Sequence, residues 1–219
     1  FYEKTIPGVL NRLDPTRPYI PGSPFSTHSD DPKSFQSGTN HIWDVWNERG
    51  YERYEEYSPA FAAEFGFNGP GSWPMLTRAL GKDTLDSRDP DLAVHQKADN
   101  GMAKVSAGLH REWKTPPVHG PEWYFAAQLL QARAVQTGLK HFRSLYERCS
   151  GTILWQFNDM WPAISWAVLD YTGHRKLAWF AMQEAYRPRA VILTRPDFGM
   201  PLTLINDTAE EWETPVDLW

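Results

Sequence analysis

Cysteine is almost absent: Cys149 is the only one in 219 residues. A lone thiol excludes an intrachain disulfide framework and leaves the cellular compartment open. Long apolar runs are missing as well; none approaches the ~20 residues of a membrane helix, so no membrane partner is expected. Positive charge is short, with 22 Lys and Arg against 27 Asp and Glu. A net charge of −5 with scattered basic residues argues against a nucleic-acid partner. The seven histidines never pair with cysteine at a metal-ligand spacing, so no metal site is expected. Internal repeats and low-complexity tracts are also lacking. The chain does not begin with Met and shows no signal peptide. It opens on an amphipathic stretch, residues 1–10, and stops at Leu218-Trp219 directly after an alternating segment. Both ends therefore read as cuts in a longer polypeptide.

Aromatic residues are abundant: eleven Trp, nine Tyr and eleven Phe make up 14% of the chain. Flat rings suit the C–H faces of sugars, and they equally suit a Trp-rich core. With 41% hydrophobic and 22% charged residues, the composition is that of a globular protein of one large domain or one and a half.

Residues 1–13 read as the tail of a helix and 14–18 as a proline turn. Segments 19–25, 41–46, 60–67 and 152–157 read as strands, with a loop over 26–40 and a short helix over 47–57. Helical pattern covers 74–80 and, interrupted near Gly101, 92–109. After Pro121 the apolar residues Phe125, Leu129, Ala132, Val135, Leu139, Phe142 and Leu145 recur at three- and four-residue steps. This predicts an amphipathic helix closed by Arg148 and Gly151. An extended piece over 165–169 and a helix over 177–186 follow. Strands alternating with helices predict βα units and a parallel sheet over residues 1–188. Four such strands are half of an eight-stranded barrel. Beyond Pro188, the segments 190–194 and 201–205, with an Asn206-Asp207 turn, predict a separate antiparallel β domain over 189–219.

Glu64 carries the most information. It ends an apolar strand, and Gly66, Gly69 and Pro70 then turn the chain. A carboxylate at the end of a buried strand is costly unless something there needs it. Strand C-terminal ends are where barrels place catalytic groups. The run Trp155-Gln-Phe-Asn158-Asp159 puts polar groups directly after another apolar strand, and Asn and Asp are disfavoured inside strands. His41 and Trp43 sit comparably on a third. Together these strand ends make a candidate sugar pocket. Read singly, Glu64 fits a surface or salt-bridged residue better than a catalytic one, and it is the neighbouring strand ends that reverse the reading.

Five stretches carry a family resemblance: residues 13–24, 38–46, the Ala63-Glu-Phe-Gly-Phe67 motif, residues 151–166 and residues 170–179. In this order they resemble glycoside hydrolase family 2, its β-mannosidase branch, across most of residues 10–190. The resemblance implies an α/β fold: the C-terminal half of a (β/α)8 TIM barrel, strands five to eight, followed by the start of an immunoglobulin-like β-sandwich. It implies retaining hydrolysis of terminal β-mannosides by double displacement, with two carboxylates roughly 5–5.5 Å apart. Glu64 matches the nucleophile, an ionised group that calls for hydrogen-bond donors or cations around it. Trp155 matches an aromatic platform for the sugar. His41 and Trp43 match a His-aromatic-aromatic motif on strand six. Asn158 and Asp159 either bond sugar hydroxyls or brace the loop. The partner is a carbohydrate, and no cofactor is needed.

Two departures stand out. Ile42 occupies a position that is more often aromatic. The acid/base glutamate that follows an Asn on strand four has no counterpart here, since Asn47-Glu48 comes after the strand-six motif. That residue would lie on the missing N-terminal part of the same polypeptide. The isolated chain is accordingly expected to be inactive on natural mannosides, and to self-associate through exposed strand edges. Alternative readings are a related β-galactosidase, β-glucuronidase or exo-glucosaminidase, and a non-catalytic carbohydrate-binding piece.

Overall fold

A computed structural model describes residues 1–26, 31, 34–194 and 202–215. In chain order its elements are α1 (Thr5–Leu13), β1 (Asn40–Ile42), α2 (Asp44–Asn47), a 3-10 helix (Tyr51–Glu56), β2 (Ala62–Phe65) and β3 (Gly69–Pro70). Then come α3 (Trp73–Leu80), α4 (Pro90–Val94), α5 (Gly101–Glu112), α6 (Gly120–Ser144), β4 (Thr152–Leu154) and β5 (Ile164–Ser165). The chain closes with α7 (Leu177–Ala185), β6 (Arg189–Leu193) and β7 (Leu202–Asn206).

The architecture is mixed α/β, as the alternation of patterns indicates. β1, β2 and β4 form one sheet in that order, and both pairings are parallel. Parallel neighbours need crossovers. The first crossover holds α2 and the 3-10 helix; the second holds α3 to α6. In register, His41 lies opposite Glu64 and Phe65 opposite Leu154. Two short strands, β3 and β5, pair antiparallel beside this sheet, Gly69 opposite Ser165.

Several elements differ from the sequence reading. Residues 19–25 form no strand; Phe25 alone bridges Thr39. Pro21 and Pro24 have no N–H to offer a ladder. The 41–46 strand ends at Ile42, because Trp43 turns helical and Asp44 opens α2, an acid at a helix start. The 152–157 strand stops at Leu154, and 165–169 contributes only Ile164–Ser165 and bridges from Leu169. The helix of 92–109 divides into α4 and α5, with Asn100 at φ 52° just before Gly101. The loop over 26–40, the strand start at Pro201 and the end of the last segment lie partly outside the described residues.

The longest correction concerns α6. Its buried side matches expectation from Val135 through Leu139 to Phe142, but Phe125 is exposed and Trp123, Ala126, Ala127 and Leu130 face inward instead. Two glutamines on the inward face explain the offset. Gln128 Nε2 donates to the Pro70 carbonyl (2.7 Å) and Gln131 Nε2 to that of Phe67 (2.8 Å). Buried amides that satisfy strand ends are invisible to an apolar periodicity. The helix ends at Ser144 rather than near Arg148.

One core cluster, built on Trp46, Phe67, Leu76, Trp123 and Leu130, takes in the N-terminal half of α6. A second, built on Tyr54, Phe65, Leu139 and Phe142, lies along its C-terminal half. Each fully buried large apolar side chain contributes about 1.5–3 kcal/mol. β6 and β7 pair as an antiparallel hairpin, Arg189 opposite Asn206. Arg143 of α6 holds it by donating to Asp207 (2.6 Å) and to the Arg187 carbonyl (3.0 Å).

Candidate active site

β1 and β2 end side by side, and their register brings three of the sequence candidates into contact. Trp43 Nε1 donates to Glu64 Oε2 at 2.9 Å. His41 Nδ1 lies 3.3 Å from the same oxygen. Ser23 Oγ sits 2.8 Å from His41 Nε2 and 3.0 Å from Thr39 Oγ1. For a neutral imidazole the self-consistent pattern has Nδ1–H facing the carboxylate while Nε2 accepts from Ser23. Among the described residues, nothing bonds Glu64 Oε1. The carboxylate is half-buried, so it is oriented from one side and open on the other.

Trp155 reaches this cluster through the backbone. Its N–H donates to the Phe65 carbonyl (2.9 Å), and the residue is 43% exposed. Gly66 makes the approach possible. A Cβ there would lie 2.1 Å from the Trp155 carbonyl oxygen, a backbone atom. G66A is therefore expected to force β2 and β4 apart at their ends and cost at least about 1–3 kcal/mol. Urea unfolding checks this, and a variant as stable as the parent would rule the clash out.

Asn158 and Asp159 part company. Asn158 is exposed and its Nδ2 donates to the Asp159 carbonyl (3.2 Å). Asp159 is buried and accepts from Ser165 Oγ at 2.7 Å, a contact that braces the loop. Burial pushes the Asp159 carboxyl above its ordinary value, against the pull of Ser165 and Lys176. Lys176 is itself buried, and its Nζ donates to the carbonyls of Gly69 (2.8 Å) and Ser165 (3.2 Å). Burial lowers its pKa to about 7, with Asp159 and Asp170 pulling the other way. Asp170 is buried too. Burial pushes it upward, but donors from Ser72, Thr172 and His174 outweigh that and hold it below the usual carboxylate range.

A cavity of about 470 Å3 opens beside His41 and Trp43, lined also by Pro24, Phe35, Asn40, Asp44 and Tyr57. Glu64 and Trp155 do not line it, so the open face of the carboxylate lies outside this cavity. Ser23, Trp166 and Lys176 were passed over in the sequence reading. Trp166 packs edge-on against Trp43, ring centroids 5.8 Å apart. One signal for Lys176 was available: it is a cation immediately before α7, where the helix dipole disfavours positive charge.

No family model matches the chain. It is 30% identical over 213 residues to the Beta-mannosidase B proteins of Aspergillus flavus and Aspergillus oryzae, covering 92% of this chain and 24% of each of them. Beta-mannosidase B of Thermothelomyces thermophilus is 25% identical across 100% of the chain. The crystal structure of a β-D-mannosidase from Dictyoglomus thermophilum superposes with a TM-score of 0.88 at 28% identity, covering 95% of this chain and 26% of that one. The chain resembles β-mannosidases. The resemblance to the β-mannosidase branch of glycoside hydrolase family 2 carried by the sequence motifs is thus met, and these relatives are glycosidases. The chain spans about a quarter of the length of the curated relatives it matches.

Among the described residues no helix is long and apolar enough to cross a membrane, and no three His, Cys, Asp or Glu side chains group as metal ligands.

Proposed function

We propose that the chain is the nucleophile-bearing part of a retaining β-mannosidase. The observation that carries this is the convergence of Trp43 Nε1 and His41 Nδ1 on one oxygen of Glu64, on the strand next to the one that leads to an exposed Trp155. Two donors fix the carboxylate, while Oε1 faces the open side. In this reading Oε1 attacks the anomeric carbon as its glycosidic C–O bond breaks and the aglycone departs, leaving a covalent glycosyl ester; water then displaces the carboxylate and releases the free sugar. Trp155 stacks on the sugar face, and exposed Asn158 reaches a hydroxyl; Asp159 stiffens the loop that bears both. Residues 1–188 are then the C-terminal part of a (β/α)8 barrel, with β1, β2 and β4 as strands six to eight and residues 19–25, which form no strand here, in the place of strand five. The hairpin of β6 and β7 opens an immunoglobulin-like sandwich. The acid/base glutamate belongs to the strands that complete the barrel.

An activated aryl β-mannoside tests the reading, because a good leaving group lessens the need for the acid. Slow turnover of the dinitrophenyl β-mannoside, with none of a natural mannobiose, is the expected result. The absent acid accounts for a difference on the order of 10²–10⁴-fold. Size exclusion should show association through the open edges of the sheet. Mannose binding without any aryl mannoside turnover would favour a non-catalytic carbohydrate-binding piece. A monomer fully active on natural mannosides would overturn the split-barrel reading, and preference for a galactoside or glucuronide would move the substrate.

A further inference from the structure

We propose that Lys176 is a positioning residue that sets the spacing between Glu64 and Trp155. This deepens the reading above and rests on it for the roles of those two side chains.

Glu64 and Trp155 stand on different strands, and each is followed by irregular backbone that has to be held. The segment after Glu64 runs through Phe67 and Gly69; the one after Trp155 returns along residues 164–168. Two buried donors tie them together. Lys176 Nζ takes the carbonyls of Gly69 and Ser165, at 2.8 and 3.2 Å. Gln131 Nε2 takes those of Phe67 (2.8 Å), Ser165 (3.3 Å) and Ala167 (3.3 Å). From the returning segment the connection reaches the Trp155 loop by several bonds, the Gln156 N–H to the Trp166 carbonyl (3.4 Å) among them. The Val168 N–H donates to the Gln156 carbonyl (3.2 Å). Ser165 Oγ donates to Asp159 (2.7 Å).

The choice of lysine is informative. A buried ammonium is costly, and neutral Gln131 shows that an amide can make ties of this kind at the same place. Lys176 adds what an amide lacks. Its three N–H groups radiate from one point, so two carbonyls on different segments are drawn to a common centre. Its charge also acts on both Asp159 at the Trp155 loop and Asp170, whose carboxylate takes the Ser72 N–H beyond β3 (3.1 Å). The same ammonium therefore bears on both halves of the pocket without touching either functional side chain.

The test follows the two rings directly. The chain is labelled with 5-fluorotryptophan, and the Trp43 and Trp155 resonances are assigned from W43F and W155F. K176M and S165A are compared with I192A, a truncation in the hairpin of β6 and β7 outside both core clusters. K176M is expected to shift or broaden the Trp155 resonance while I192A leaves it in place. S165A, which keeps Lys176 and removes the Ser165 hydroxyl's bonds to Asp159 and to the Ala167 N–H, should displace the same resonance in a folded chain. K176Q, whose amide cannot gather both carbonyls as the ammonium does, decides should K176M fail to fold. An unmoved Trp155 signal in folded K176M, K176Q or S165A would overturn the proposal, as would an equal displacement in I192A. Titration with a mannose-configured imino sugar supplies the second arm. Binding should weaken by about 10- to 100-fold in K176M, since small misplacements of a pocket wall have effects of that size. If the unmutated chain does not bind the imino sugar, but Trp155 is displaced as described, the mannosidase reading fails and the positioning role survives.

Discussion

E64Q is expected to abolish turnover of a dinitrophenyl β-mannoside, with a loss of roughly 10³–10⁶-fold, the range seen when a covalent nucleophile is removed. The substitution is nearly isosteric. The amide oxygen can still accept from Trp43 Nε1, so the bond now 2.9 Å long survives and the fold is undisturbed. What disappears is the negative charge and the lone pair that attack the anomeric carbon. Two results together would identify the role. A 2-deoxy-2-fluoro mannosyl donor should leave a covalent adduct on the unmutated chain, and peptide mapping should place it on Glu64. The smaller variant E64G should recover turnover when azide is supplied, giving a mannosyl azide of inverted configuration, because the small anion fills the space left by the carboxylate. An adduct on another residue, or E64Q at unmutated activity, would remove Glu64 from the mechanism.

The parts of this site that were legible in the sequence are those where a residue type conflicts with its local pattern. Glu64 at the end of an apolar strand is such a conflict, and so are Asn158 and Asp159 after another. His41 and Trp43 were legible through a motif, and the parallel register then explains why they meet Glu64: His41 stands directly opposite it. Illegible were contacts that depend on which backbone groups happen to come close. The Ser23 hydroxyl on His41 bridges segments whose pairing no periodicity announces. The inward face of α6 misled for a related reason, since Gln128 and Gln131 occupy core positions by bonding strand carbonyls. The strand candidate at 19–25 failed because two prolines withhold N–H groups. The end of β1 was overrun because Asp44 starts a helix, where an acid in the first turn suits the helix dipole and competes with an apolar run. Parallel sheet and alternating helices were readable because they follow from burial alone; the pocket was only half readable because it is built from buried polar exceptions.

Those exceptions carry large energies, and Lys176 gives the clearest case. K176M is expected to destabilise the chain by about 3–5 kcal/mol at pH 7, although methionine fills nearly the same volume. Its removal leaves the Gly69 and Ser165 carbonyls without their donor and strips Asp159 and Asp170 of a nearby positive charge. A buried polar group left unsatisfied costs more than its hydrogen bond contributed. The dependence on pH separates this cause from simple loss of packing. In the folded chain the Lys176 pKa is lowered to about 7, from an ordinary value of 10.5. Below pH 7 the ammonium is charged in both folded and unfolded states, so the whole cost of burying it is borne. Between pH 7 and 10.5 the folded state releases a proton that the unfolded state retains, and stability rises by up to ~1.4 kcal/mol per pH unit. From pH 7 to 9 the unmutated chain should therefore gain about 2–3 kcal/mol from this group, a gain that K176M lacks. Buried Tyr54, whose phenol burial pushes far up, acts with the opposite sign, and only as the unfolded tyrosine begins to ionise near pH 10. Urea denaturation at pH 7, 8 and 9 makes the comparison. Parallel pH profiles for the two proteins would show that Lys176 is not the titrating group, and that its ammonium is stabilised in the fold by more than the two carboxylates and two carbonyls around it.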